Sequence, residues 1–281
     1  WTATDPQAAA EYALSANDSR AMLLSQVATR RAQKDLNATV AWMKQLPTED
    51  QTRVLQDIKL QWSQADPQSA ATYGLSLAAG STQNNFLNQV ANAWAATDPK
   101  AAVAWLAQVP EGDARFSALN GIAAGWAQTA PQEAANFVAS LPPGKTQEAA
   151  ARNVLFEWRR ADPAAAATWL AKFPEGELRT DVMQRLVDDW AENDAAAAGK
   201  FLEELPAGTS REAALNAYIG RLAIQSPESA APFVNQIADE NQRFSAAQTL
   251  ARTYQRSDPA GYSQWLTTLN LPEEKLKLLP K

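Results

Sequence analysis

The stretch WAATDPKAAVAWLAQVPEG, residues 94–112, places one tryptophan before an Asp-Pro pair and a second tryptophan six residues after the proline. The same pattern recurs along the chain. When the proline position is taken as the origin, successive origins lie 30, 31 and then always 32 residues apart: Pro6, Leu36, Pro67, Pro99, Pro131, Pro163, Ala195, Pro227 and Pro259. A fixed period of this length is typical of proteins built from stacked structural repeats.

Two aromatic columns follow this period. The position six residues after the origin is aromatic in every repeat: Tyr12, Trp42, Tyr73, Trp105, Phe137, Trp169, Phe201, Phe233 and Trp265. The position five residues before the origin is most often tryptophan: Trp1, Arg31, Trp62, Trp94, Trp126, Trp158, Trp190, Leu222 and Tyr254. All ten tryptophans lie in these columns, so we predict that the rings pack between helices; a ring-lined binding surface is the alternative.

Each repeat is predicted to contain two helices. Before Trp190, the apolar residues Leu186, Met183 and Val182 lie on one side of a helix with 3.6 residues per turn, and the other repeats share this stripe. We call this longer helix B. A shorter helix A begins at the Asp-Pro step, because aspartate caps free amides of the first turn and proline is tolerated at the first helical position.

The expected caps of the A helices are Asp5, Asp35, Asp66, Asp98, Asp162, Asp194 and Asp258. Ser226 is expected to substitute with its hydroxyl, whereas Ala130 leaves its helix without a cap. A Pro residue follows the A helix in several repeats and is expected to end it, since proline cannot extend the hydrogen-bond ladder.

These features predict an all-α fold. A two-helix hairpin cannot bury its apolar faces alone, so successive hairpins must stack into one continuous core. We predict a single-domain, right-handed α-solenoid of eight to nine antiparallel hairpins and about seventeen helices, with units that start near residues 5, 35, 66, 98, 130, 162, 194, 226 and 258.

The junction from Trp94 through Asp98-Pro99 to Trp105 resembles the boundary between tetratricopeptide repeats. The resemblance covers essentially the whole chain, and it implies a right-handed superhelix with a concave groove that binds segments of other proteins. That family has a unit of about 34 residues, with Leu and Gly three and four residues after the helix A aromatic. Gln108 and Val109 stand at those positions here, so the resemblance extends to the class of architecture.

Composition excludes several kinds of chemistry. The chain has no cysteine and no histidine, which removes disulfides, thiolate zinc sites, cysteine nucleophiles and the commonest general base. Its net charge is −6 without a basic stripe, which argues against nucleic acid. No apolar stretch reaches the roughly 18 residues that a membrane helix needs. We therefore predict no catalytic residue, metal, cofactor or membrane insertion. The absence of cysteine favours a periplasmic or otherwise exported protein, with a cytoplasmic location as the alternative.

One polar column lies eleven residues before the helix B aromatic and always carries a long donor: Arg20, Gln51, Gln83, Arg115, Gln147, Arg179, Arg211 and Arg243. The favoured interpretation is structural, with heads that reach carbonyls at the end of helix A. The functional alternative is a ladder of donors for an extended acidic peptide. Its candidate binding residues are Arg115, Arg179, Arg211 and Arg243.

We therefore expect a non-catalytic scaffold or adaptor that binds another protein or an extended peptide segment on the concave surface of the superhelix. Two alternatives to this expectation stay open. One is an envelope enzyme or enzyme accessory with a helical superhelix around a glycan or peptidoglycan substrate, and the other is a purely structural spacer. A glutamate with a raised pKa in a deep apolar cleft would favour the enzyme.

Overall fold

A computed structural model describes residues 6–16 and 19–280. Over these residues it contains 18 α-helices and no strand, which confirms the all-α prediction. Trp1 and Asp5, which the repeat pattern includes, lie outside the described residues. None of the helices in the described ranges has the length and apolar character needed to span a membrane.

Short A helices begin at every predicted origin. Their bounds are α1 Pro6–Ser15, α3 Leu36–Met43, α5 Pro67–Ser76, α7 Pro99–Leu106, α9 Pro131–Ala139, α11 Pro163–Leu170, α13 Ala195–Glu204, α15 Pro227–Val234 and α17 Pro259–Thr268. Each is eight to ten residues long. The local start signal therefore placed these helices correctly.

Longer B helices alternate with the A helices. They are α2 Arg20–Lys34, α4 Thr48–Ala65, α6 Ser81–Thr97, α8 Asp113–Thr129, α10 Lys145–Ala161, α12 Glu177–Asn193, α14 Thr209–Gln225 and α16 Glu240–Ser257. A further short helix, α18 Glu273–Leu276, follows the last A helix and was not expected from the repeat pattern.

The aspartate caps form as predicted. In the six described repeats that carry it, the aspartate accepts a hydrogen bond from the backbone N–H three residues later at 2.9 to 3.0 Å: Asp35, Asp66, Asp98, Asp162, Asp194 and Asp258. Ala130 leaves α9 without a side-chain cap, also as predicted.

The prediction for Ser226 is wrong. Its side chain makes no capping hydrogen bond to α15. Instead the Ser226 hydroxyl donates to Glu228 Oε1 at 2.7 Å and lies 2.9 Å from Ser229 Oγ. The hydroxyl is thus oriented by the Glu228 carboxylate, which lies within reach on the first turn.

The chain divides into two compact units, one that ends at Val154 and one that begins at Leu155. In the first unit, helix B packs beside helix B in the pairs α2 with α4, α4 with α6 and α6 with α8, and the A helices pack against the B helices next to them in sequence. The second unit repeats this arrangement with α12, α14 and α16. The helices are thus packed in sequence-adjacent pairs, as a helical-repeat fold requires.

The aromatic columns meet at the junctions between a B helix and the A helix that follows, wherever both columns carry a ring. Ring centroids lie 5.2 to 6.1 Å apart in the pairs Trp62–Tyr73, Trp94–Trp105, Trp126–Phe137, Trp158–Trp169, Trp190–Phe201 and Tyr254–Trp265. Where Leu222 replaces the ring, Tyr218 contacts Phe233 at 4.7 Å. Where Arg31 replaces it, the guanidinium lies 5.2 Å from the centre of the Trp42 ring. Two rings that lie eleven residues apart in sequence, one from each column, therefore pack against each other.

Most of the tryptophans are core residues. Six of them are buried, with 7% exposure or less: Trp62, Trp105, Trp158, Trp169, Trp190 and Trp265. Trp42, Trp94 and Trp126 are half-buried. The burial confirms the packing role for the larger group.

Candidate functional site

The predicted donor column lies against the turns between helix A and helix B. Arg115, Arg179 and Arg243 each donate from Nη1 to the backbone carbonyl six residues earlier, at 3.0, 3.0 and 2.7 Å. Gln83 and Gln147 do the same from Nε2, at 3.0 and 3.1 Å. The predicted structural role of this column is therefore confirmed.

Arg211 belongs to the same column and uses its donors differently. Its Nε donates to the Leu202 carbonyl at 3.0 Å, and its Nη2 donates to Gln236 Oε1 at 2.5 Å. The four arginines thus donate to backbone carbonyls at or just after the end of an A helix, which the helix itself leaves free. The binding role proposed for them from sequence stays a prediction.

A solvent-exposed face with a cavity lies along two B helices of the second unit. A cavity of about 470 Å³ lies at the surface above α12 and α14, whose backbones pack closely against each other. We call its lining the α12–α14 face, and it consists of Gln184, Arg185, Asp188, Ala217, Gly220, Arg221, Ile224 and Gln225. The volume falls in the range of about 300 to 1,000 Å³ that is usual for ligand sites.

Small residues of α14 create this cavity. An ideal Cβ placed on Gly220 would meet no heavy atom within 4 Å, so the space beside this glycine is open. Ala217, one turn earlier, contributes only a methyl group. Ile224, one turn later, is 80% exposed, the largest exposure of any large apolar side chain in the described part of the chain. The cavity therefore has a small-residue floor and an apolar rim.

Ion pairs hold one of the two arginines at this face. Arg221 donates to Asp188 through Nε at 3.0 Å and through Nη2 at 2.5 Å, and its Nη1 lies 3.5 Å from Glu192. The hydrogen bond to Asp188 is the main cause that raises the pKa of Arg221, against an opposing effect of burial and with help from the nearby carboxylates. The other guanidinium, Arg185, is exposed and has no hydrogen bond or ion pair within the described ranges.

A second cavity of about 530 Å³ lies between the end of α10 and α12. Arg159 pairs with Asp189 at 2.6 Å across it. Next to it, the half-exposed Phe156 ring lies 5.1 Å from the Arg159 guanidinium and 5.2 Å from that of Arg160. Arg159, Asp189 and Asp194 of this lining are engaged in an ion pair or in the cap of α13, and this cavity has no apolar rim as exposed as Ile224.

In the first unit, α6 and α8 form a closed surface. Cβ atoms on Gly121 and Gly125 of α8 would lie 2.2 and 2.0 Å from the carbonyl oxygens of Asn88 and Asn92. The two backbones are thus in direct contact. Asn88 also donates through Nδ2 to the Ser117 carbonyl at 2.9 Å, which seals the seam with an amide.

A carboxylate caps α14 from the preceding repeat. Glu175 accepts hydrogen bonds from the Ser210 N–H at 3.0 Å, from Ser210 Oγ at 2.8 Å and from Thr209 Oγ1 at 2.9 Å. Burial raises the pKa of Glu175, but these hydrogen bonds and the charge of Arg179 outweigh it and leave the pKa below its ordinary value. This direction is opposite to the one that a general acid requires.

Metal-ligating geometry is not found among the described residues, where no three His, Cys, Asp or Glu side chains are grouped to hold an ion. In comparisons with known proteins, no family model, curated protein or solved structure matches the chain. The shape and charge of the surfaces are therefore the basis for a functional proposal.

The sequence contains a signal for the α12–α14 face that the aromatic and donor columns do not reveal. At the repeat position of Gly220, other B helices carry larger side chains: Leu60, Asn92, Ala124, Phe156, Asp188 and Arg252. At the repeat position of Ile224 they carry polar or small ones: Gln64, Ala96, Gln128, Arg160, Glu192 and Arg256. The two unusual residues, Gly220 and Ile224, lie in the same helix, α14.

Proposed function

We propose that this protein is a non-catalytic scaffold or adaptor that binds a segment of another polypeptide on the outward face of its B helices. The α12–α14 face carries the proposal, because it combines a cavity, an exposed apolar rim and an unpaired guanidinium on two rigid helices. Such a combination is typical of sites that anchor one side chain of a partner and orient it with polar groups.

The regular packing of B helices within each unit supports a finer proposal about architecture. We propose that the hairpins continue as a right-handed α-solenoid similar to tetratricopeptide arrays, in which one side of the helices is a continuous binding surface. Small-angle scattering of the intact protein tests this point. An elongated profile is expected, and the profile of a compact sphere contradicts it.

The binding proposal is tested with the purified protein on an array of short peptides of varied charge and apolar content, together with a glycan array that includes peptidoglycan fragments. We expect saturable binding to a subset of peptides and none to the glycans. Binding to glycans alone would replace the proposal with the envelope-enzyme or accessory alternative. Binding to neither array would favour the structural spacer.

A further inference from the structure

We infer that the cavity of the α12–α14 face receives an aliphatic side chain of a partner segment whose flanking residues are acidic. This inference rests on the proposed function and names its ligand class and its site. It is carried by the shape of the cavity, by the apolar rim and by the charge of the lining.

Shape comes first. Gly220 lacks the side chain that the other B helices with this repeat position place there, and nothing else occupies the space. Ile224 adjoins this space and is 80% exposed. An apolar group that enters the cavity covers Ile224 and removes its surface from water, which is the main source of binding free energy at an anchor position.

The charge of the lining selects the neighbours of that anchor. Among the lining side chains there are two guanidiniums, Arg185 and Arg221, and one carboxylate, Asp188. Arg221 already forms ion pairs with Asp188 and Glu192. Arg185 is left with its donors free at the edge of the cavity, in a protein whose overall net charge is −6.

A carboxylate of the partner placed beside Arg185 would form the ion pair that the fold does not supply. Guanidinium groups bind carboxylates through two parallel hydrogen bonds, which fixes direction as well as position. The amides of Gln184 and Gln225, both exposed at the rim, add donors and acceptors for the backbone of an extended segment. The expected ligand is therefore an extended acidic segment with one central aliphatic residue.

Three labelled peptides test this inference by fluorescence polarisation with the intact protein. The acidic probe has a central leucine flanked by glutamates, the basic probe has the same leucine flanked by lysines, and the third probe is the acidic one with serine in place of leucine. We expect the acidic probe to bind about tenfold more tightly than either of the others, and its affinity to fall as salt is added.

Variants locate the site. Gly220→Leu fills the cavity, Ile224→Asp removes the apolar rim and Arg185→Glu reverses the free charge. Each should weaken binding of the acidic probe by about tenfold or more. The matched controls occupy the same repeat positions on α6 and α8: Ala124→Leu, Gln128→Asp and Gln89→Glu. The controls at positions 128 and 89 should leave binding of the acidic probe unchanged, and circular dichroism verifies that each variant is folded.

The outcomes separate the inference from the proposed function. If the acidic probe binds but the three variants do not weaken it, or if the basic probe binds better, the inference is overturned while peptide binding stands. The inference also fails alone if the acidic probe does not bind but other peptides on the array do. If no peptide binds at all, both fail. Because Ile224 and Arg185 are exposed, their variants report on the site even if Gly220→Leu does not fold.

Discussion

Helices α6 and α8 in the first unit and α12 and α14 in the second hold the same positions in their repeats, yet their outward faces differ. Helix α6 contains no charged residue and contacts α8 backbone to backbone. Helix α12 carries seven charged residues and also packs closely against α14, but side chains of the two helices line a surface cavity. The same repeat thus produces one seam closed by backbone contact and one seam that is open at its surface.

A single repeat position explains much of this difference. Gly125 of α8 contacts the carbonyl of Asn92. It lies six residues before the repeat origin Pro131. The equivalent residue of α14 is Arg221, and the equivalent of Asn92 is Asp188. An ion pair between Arg221 and Asp188 therefore stands where the first unit has glycine against a carbonyl. The apolar stripe that builds the fold is unaffected, so the outward face is free to differ between repeats.

The largest expected effect comes from glycine substitutions in the two seams. Gly125→Ala should destabilise the protein by about 2 to 3 kcal/mol, because its Cβ would lie 2.0 Å from the Asn92 carbonyl oxygen and the helices must separate. Gly220→Ala should instead stabilise it by about 0.5 to 1 kcal/mol, since alanine favours a helix and the space is open. Urea denaturation of both variants measures this, and equal effects would contradict the closed and open assignments.

Substitution of two arginines of the donor column, Arg179 and Arg115, should change stability by amounts that differ less than those of the two glycines. Arg179 is 9% exposed and donates to the Phe173 carbonyl, so Arg179→Leu should cost about 2 kcal/mol by leaving that carbonyl without its partner. The Arg115 side chain is 32% exposed, and water can replace it at the Val109 carbonyl. Arg115→Leu should therefore cost about 1 kcal/mol or less. Arg115→Gln is the control and should be nearly neutral, because glutamine performs this role in three other repeats. A costly Arg115→Gln would show that the charge itself matters.

A further contrast lies at the start of the B helices. Glu175 accepts three hydrogen bonds from Thr209 and Ser210. The equivalent residue of the first unit, Glu111, is 87% exposed and pairs only with Arg115 at 3.4 Å. Glu175→Ala should destabilise by about 1.5 kcal/mol, and Glu111→Ala should have almost no effect. Thermal melts of the two variants compare them directly.

The contribution of Glu175 should also depend on pH. Its pKa is lower in the folded protein than its ordinary value of 4.5, because the hydrogen bonds from Ser210 and Thr209 and the charge of Arg179 favour the ionised form over the opposing effect of burial. Its stabilisation is therefore fully present above pH 4.5 and is lost as the pH falls through the lower folded pKa. The stability gap between wild type and Glu175→Ala should narrow over that range. A gap that widens on acidification would contradict the assigned direction.

The smallest expected effect concerns the missing cap of the first unit. Ala130→Asp should stabilise α9 by about 1 kcal/mol or slightly less, because it restores the acceptor that the other repeats possess. Asp194→Ala in the second unit removes such a cap and should have a similar effect of opposite sign. Unchanged melting of the Ala130 variant would show that the first turn of α9 is satisfied by other means.

Much of the fold was predictable because its signals are local. Asp-Pro steps, apolar periodicity and the ring spacing act over distances of one or two helical turns, so they placed the start of every described A helix and the contact between the two aromatic columns. Ser226 shows the limit of such local signals. A cap forms only where the side-chain oxygen accepts from a first-turn amide, and the Ser226 hydroxyl contacts Glu228 and Ser229 instead.

The sequence by itself determined the A and B helices, their period and most residues of the core, because a helix begins where its caps are and buries the side that its apolar stripe defines. Only the tertiary structure decided which outward faces close and which stay open. That choice depends on contacts between residues about one repeat apart, such as Arg221 with Asp188, 33 residues away. At the seam, a glycine lets one helix backbone meet the carbonyls of the next, whereas an arginine forms an ion pair across it.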